Sequence, residues 1–269
     1  MAAQIPAAAV RISDRWRRRA IFFALPVVAL VAVKLITGRG TFTYHVTISG
    51  NEPNLSELLV QCSGENGATA DLQIDGCTTL IQSGRGNDHG LSVAFYDRGN
   101  AYVQKGELDR AIADYDQAIR HNPGMSIAFS NRGNVYERKR EFARAAADYD
   151  EAIRLNPKYA IALQNRCWVR FVMGQLSDAL GDCDESLRLR PDGALALNAR
   201  GFIHLKMGVP DKAGADFDAA LVKDPKLASA LYGRGLAKQK QGGSGTVDIA
   251  AAKAIDPAVA EHYARYGIE

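Results

Sequence analysis

Net charge is scarce in this sequence, and so are the motifs on which catalysis usually stands. The formal charge is +3 over 269 residues and is unevenly placed. Residues 1–38 hold Arg11, Arg15, Arg17, Arg18, Arg19 and Lys34 against Asp14 alone, which leaves the rest slightly acidic. Such a body lacks the clustered Lys and Arg that meet phosphates, so nucleic acid is excluded as a partner. His45, His89, His121, His204 and His262 are scattered without metal-ligand spacing. No G-x-S-x-G occurs, and the Gly-rich "GRGNDHG" and "GGSG" lack the Lys-Ser or Lys-Thr of a phosphate loop, so they read as loops. We therefore expect no catalytic residue, metal, cofactor or small-molecule substrate, and no enzyme.

A single long apolar run is present, "AIFFALPVVALVAVKLI", and "RWRRR" stands directly before it. That order predicts a basic cytoplasmic N-terminus at 1–19 and a transmembrane or signal-anchor helix at 20–37, with the remainder exported. The run is short for a bilayer that needs about 20 residues, but Lys34 can snorkel to the interface. No A-x-A-like pattern follows it, which favours an uncleaved anchor in the inner membrane over a cleaved signal that releases a soluble periplasmic protein. Residues 38–53 read as a linker. The alternation of Phe42, Tyr44, Val46 and Ile48 within it fits either a short strand or an extended tether.

What is abundant is periodicity. "YDRGNAY" returns after 34 residues as "SNRGNVY", and prolines 123, 157, 191 and 225 keep the same interval. Gly99, Gly133, Cys167, Gly201 and Gly235 share the beat, as do Ala111, Ala145, Ala179 and Ala213. Within a unit, Phe95, Gly99 and Tyr102 fall on one face of a first helix, and Ala111, Tyr115 and Ala118 on one face of a second. "KGELD" supplies a stop and a start between them, and "HNP" ends the second helix. Small residues let the two helices approach closely, and a pair so built needs a neighbour to cover its outer face.

A large residue, Gly four later, Tyr three after that, then Ala, an aromatic, Ala and Pro resembles the tetratricopeptide repeat. The resemblance covers five units over 91–257, the fifth shortened around "QGGSGT". It implies an all-α solenoid of paired antiparallel helices, a right-handed superhelix whose first helices line a concave groove for peptide segments of partner proteins. Residues 54–90 read as a degenerate capping repeat, and 258–269, with Val259, Tyr263 and Tyr266 on one face, as a C-terminal capping helix.

Four cysteines in an exported chain invite pairing. Cys62 and Cys77 lie on consecutive short helices, while Cys167 and Cys183 replace the Gly and the aromatic of the third unit at positions that face each other. Bridges are the expectation, and buried thiols acting as small hydrophobes the alternative. A second ladder, Arg98, Arg132, Arg166, Arg200 and Arg234 with Asp114, Asp148, Asp182, Asp216 and Asp248, reads as architecture fixing helix register.

By the family's mapping the groove takes Tyr96, Asn100 and Gln104 from the first unit and Asn131, Asn134 and Arg138 from the second. Gln164, Asn165, Trp168, Phe171, Asn198, Phe202 and Lys206 follow from the third and fourth. One half is rich in amides for an extended backbone and the other in aromatics for apolar anchors, although Trp168 and Phe202 could instead be buried between units. Tyr96 stands where chaperone-tail binders carry a clamp lysine, which disfavours acidic tails. The expected function is a membrane-anchored scaffold that binds a partner protein. The alternatives are a soluble periplasmic accessory of an envelope enzyme, or an enzyme of unrecognised activity.

Overall fold

The computed structural model describes residues 55–268 apart from 66 and 85, so the basic N-terminus, the apolar run and the candidate strand lie outside the described residues. The described residues contain thirteen α-helices and no strand. Among them no helix is long and apolar enough to cross a membrane.

A short pair, α1 (Leu55–Ser63) and α2 (Ala70–Gln82), leads the stack. Five further pairs follow: α3 (Asp88–Lys105) with α4 (Leu108–His121), α5 (Ser126–Arg138) with α6 (Phe142–Leu155), α7 (Ala160–Val172) with α8 (Leu176–Leu189), α9 (Ala194–Lys206) with α10 (Pro210–Lys223), and α11 (Ala228–Lys240) with α12 (Thr246–Ile255). A last helix, α13 (Val259–Ala264), ends the stack. Each first helix touches the first helix of the next pair from α3 to α11, while second helices touch no second helix. The row is therefore curved, with the first helices inside.

Local chemistry explains each pair. In α4, Ala111, Tyr115 and Ala118 are buried on one face, and Asp109, Arg110 and Arg120 face water on the other. Burying a ring such as Tyr115 contributes roughly 2–3 kcal/mol. The turn between helices needs a left-handed residue: Gly106, Gly174, Gly208 and Gly242 supply it, and Arg140 takes the same conformation in the second unit at φ 63°. Between units, the side chains of Asn122, Asn156, Asp224 and Asp256 each accept a hydrogen bond from the backbone N–H two residues on. This turn satisfies the helix end where the chain reverses.

The fixed recurrence of Gly in the first helix also has a steric cause. A Cβ on Gly99 would lie 2.8 Å from the Tyr115 ring, and one on Gly133 equally close to the Tyr149 ring. The second-helix ring lies flat against first-helix backbone, so only glycine fits beneath it. In the third unit Cys167 and Cys183 occupy both places and are joined, with Cα atoms 5.4 Å apart. Cys62 and Cys77 are likewise joined, linking α1 to α2, and no free cysteine remains among the described residues.

The arginine and aspartate ladder runs through the stack. Arg98, Arg132, Arg166, Arg200 and Arg234 each grip the paired aspartate of their own unit through Nε and Nη2. From the second unit onward, Nη1 reaches back to Asp116, Asp150, Asp184 or Asp218 of the preceding unit. Each guanidinium thus ties helix to helix and unit to unit, with the planar fork fixing register.

Candidate functional site

The inner face of the curve is where side chains are free of the packing between pairs, and the amides there are used in a regular way. Tyr115 donates its hydroxyl to Asn100 Oδ1 at 2.7 Å, and Asn131 Nδ2 donates to the same oxygen at 2.9 Å and to the Tyr96 hydroxyl at 3.0 Å. One unit on, Tyr149 and Asn165 both donate to Asn134 Oδ1 at 2.7 Å. Gln164 is buried and donates to Asn165 Oδ1 at 3.3 Å. Burial raises the Tyr115 and Tyr149 hydroxyls far above the usual phenol range, so both remain donors. The amides therefore form a ladder that holds the second-helix tyrosines. Gln104 and Arg138 are exposed, and Arg138 reaches the Val103 carbonyl at 3.4 Å.

The aromatic residues behave differently. Phe171 and Phe202 are fully buried, so neither presents a free ring. Phe202 packs edge-on against Phe217 at 5.0 Å and is stacked at 4.1 Å under Tyr263 of α13. Trp168 is partly buried and meets Tyr263 and Tyr266 edge-on at 6.0 and 5.6 Å. Lys206 is exposed and donates its Nζ to the Tyr266 carbonyl, while Ile268 is buried. The C-terminal segment thus folds over the aromatic half of the inner face and closes one wall of a cavity there.

That cavity has a volume of about 230 Å³. Gln164, Asn165, Trp168 and Asn198 line it, all of them candidates from the sequence, together with Glu137, Leu195, Ala199, Ser229 and Tyr263, which were not. Tyr96, Asn100, Gln104, Asn131, Asn134, Arg138, Phe171, Phe202 and Lys206 lie outside its lining. Glu137 did leave a signal: at its place in the repeat three other first helices carry the apolar Val103, Phe171 and Leu205, and only the last carries a polar residue, Gln239. The Glu137 carboxylate lies 3.1 Å from the Tyr149 hydroxyl, whose single proton it shares with the nearer Asn134 Oδ1, and burial raises its pKa. Asn198 is 6% exposed and its Oδ1 has no hydrogen-bond partner. Burial pushes the Tyr263 hydroxyl up to about 12, with Ser229 and Asn198 facing it. Among the described residues no cluster of His, Cys, Asp and Glu could hold a metal ion.

A family model described as tetratricopeptide repeat matches residues 96–160. No curated protein matches the sequence. Among solved structures, the chain is similar to YrrB, described as a tetratricopeptide-repeat protein with an unusual peptide-binding site. The identity is 22% and the TM-score 0.55, over 71% of this chain and 99% of that one. A tetratricopeptide-repeat protein from Parabacteroides merdae is similar at 18% identity and TM-score 0.59, over 81% and 86% of the two chains. MamA from Desulfovibrio magneticus is similar at 16% identity and TM-score 0.57, over 66% and 98%. At these identities the likeness is one of fold, and it agrees with the matched repeat model and the stacked helix pairs. Residues 96–160 carry the tetratricopeptide repeat, and the helix pairs stacked on either side have the same fold.

Proposed function

We propose that the chain is a protein–protein interaction scaffold that takes up a segment of a partner protein along the inner face of its repeats. The observation that carries this reading is the cavity where units two to five converge, whose lining combines the partly buried Trp168 with polar groups the stack leaves partly unused. Apolar walls with a few convergent polar groups are what a peptide side chain needs. The peptide-binding site described for YrrB, a protein of the same fold, is consistent with it.

Selection of displayed random peptides on the full chain tests the reading. Recovered peptides should lose at least tenfold in affinity, about 1.4 kcal/mol, when Trp168→Ala is combined with Leu195→Arg. Leu195 is 54% exposed at the rim, so the substitution blocks entry without disturbing the core. Circular dichroism should be unchanged. Recovery of no peptide, or binding indifferent to the pair, would sink the reading.

The same proposal has the repeats on the outer side of the inner membrane, held by residues 20–37. The two bridged pairs, Cys62 with Cys77 and Cys167 with Cys183, support an oxidising compartment. Fractionation with N-terminal sequencing should find residues 1–37 still attached in the membrane fraction. A soluble form beginning beyond residue 37 would overturn the anchor.

A further inference from the structure

The cavity on the inner face is short of one kind of group. Its lining includes Glu137, which carries a carboxylate, and Asn198, whose buried Oδ1 has no hydrogen-bond partner. No arginine or lysine is among the residues that line it. The cations adjoining lining residues in sequence are engaged elsewhere, Arg138 with the Val103 carbonyl and Arg166 and Arg200 with Asp182 and Asp216. Among the described residues Glu137 makes no ion pair, whereas the buried aspartates of the ladder are gripped by arginine. Among the described residues its one hydrogen-bond donor is the neutral Tyr149 hydroxyl, whose single proton is shared with the nearer Asn134 Oδ1. The Gln164 and Asn165 amides already donate within the ladder.

A half-buried carboxylate with no cation and a buried amide oxygen with no donor, both on residues that line one cavity, are each costly until a donor arrives. A cation bearing several N–H groups relieves both at once, because it supplies charge to the carboxylate and a hydrogen bond to the amide oxygen. The remaining wall fits the same guest. Trp168 and Tyr263 stand edge-to-face at 6.0 Å, and a planar guanidinium stacks on an aromatic face better than a compact ammonium does. At about 230 Å³ the space is smaller than a typical drug-sized site of roughly 300–1,000 Å³, which suits one side chain rather than a whole small molecule.

We propose that this cavity is a recognition pocket for an arginine side chain of the partner segment, with Glu137 and Asn198 as acceptors and Trp168 as the stacking surface. The proposal rests on the groove reading above and names the residue the groove selects. Burial of Glu137, which raises its carboxyl, agrees with a site built for a cation that restores the charged form.

The sequence has two tryptophans, Trp16 and Trp168, so the full chain with Trp16→Phe reports on the pocket through Trp168 fluorescence alone. N-acetyl-arginine amide is the probe, with the citrulline, lysine and leucine amides as comparisons at constant ionic strength. Arginine amide should give a saturable change, and citrulline amide, equal in shape but neutral, should bind about tenfold more weakly. Lysine amide should fall between them. Glu137→Gln keeps an acceptor for the Tyr149 hydroxyl and should bring arginine and citrulline to within about twofold.

Equal binding of arginine and citrulline amides by the unaltered pocket would overturn the proposal without reliance on any pocket variant. So would no saturable response to arginine amide, or a preference that survives Glu137→Gln. If peptide selection succeeds while any of these occurs, the arginine pocket fails and the groove reading stands. If selection yields no peptide, the groove reading fails first.

Discussion

Arg140 holds a backbone shape that glycine holds at the matching turn of four other units, with φ at 63°. An L-residue there brings Cβ against the following carbonyl, at a cost of about 1–2 kcal/mol. The guanidinium recovers a little by lying 6.0 Å from the Phe142 ring, about 0.5 kcal/mol at an exposed site. Arg140→Gly should therefore stabilise the second unit by about 1 kcal/mol, read as a higher urea midpoint; a lower midpoint would contradict the argument. Asp97 shows a second residue-scale conflict. Burial, with Glu65 nearby, pushes its carboxyl up to about 6. The folded form thus holds a proton that the unfolded chain, titrating near ~4, releases, so this group's contribution to stability falls as pH rises from about 4 to 6. Asp97→Asn should flatten the slope of stability with pH in that window. An unchanged slope would show that Asp97 is not its source.

At the scale of the helix pair, the second-helix ring and the inner-face residue facing it are chosen together. Tyr115 and Tyr149, which carry hydroxyls, meet Asn100 and Asn134, whereas Phe217 meets Phe202. The third unit replaces ring and glycine by a bridge between Cys167 and Cys183. Closing a loop of about 15 residues contributes about 3 kcal/mol. Reduction should therefore raise hydrogen exchange in α7 and α8 by about a hundredfold. The paired swap Cys167→Gly with Cys183→Phe restores the pattern of the fourth unit and should leave the same amides indifferent to reductant. Equal sensitivity in both proteins would show that the bridge does not substitute for the ring.

The paired helices were legible in the sequence because Gly99, Ala111, Tyr115 and Ala118 repeat with one spacing, and the ladder because each arginine keeps its aspartate. The inner-face chemistry was only half legible. A 34-residue register says which way Asn100 or Asn134 leaves its helix, but not that a tyrosine hydroxyl waits within reach. It also cannot say that Phe202 lies down on Phe217, because burial depends on which ring arrives from the neighbouring helix.

Over the whole molecule, the fold-back of the C-terminal segment is the feature that local pattern least foretold, since Lys206 and Tyr266 meet across 60 residues of sequence. It changes how the stack shares its stability. In a solenoid whose units touch only their neighbours, loss of a terminal helix loosens mainly the last unit. Here Tyr263 reaches Tyr232 on α11, Phe202 on α9 and Trp168 on α7. One buried apolar cluster runs from Cys167 to Ile268, while the cores around Tyr115 and Tyr149 are separate. Tyr263→Ala removes a ring that several first helices share, at a cost of about 3 kcal/mol. Hydrogen exchange should therefore accelerate together in α7, α9 and α11, by about a hundredfold, and stay unchanged in α3 to α6. Acceleration confined to α11 and α12 would show instead that α13 serves only as an end cap, and that the third and fourth units owe their order to their own pairs.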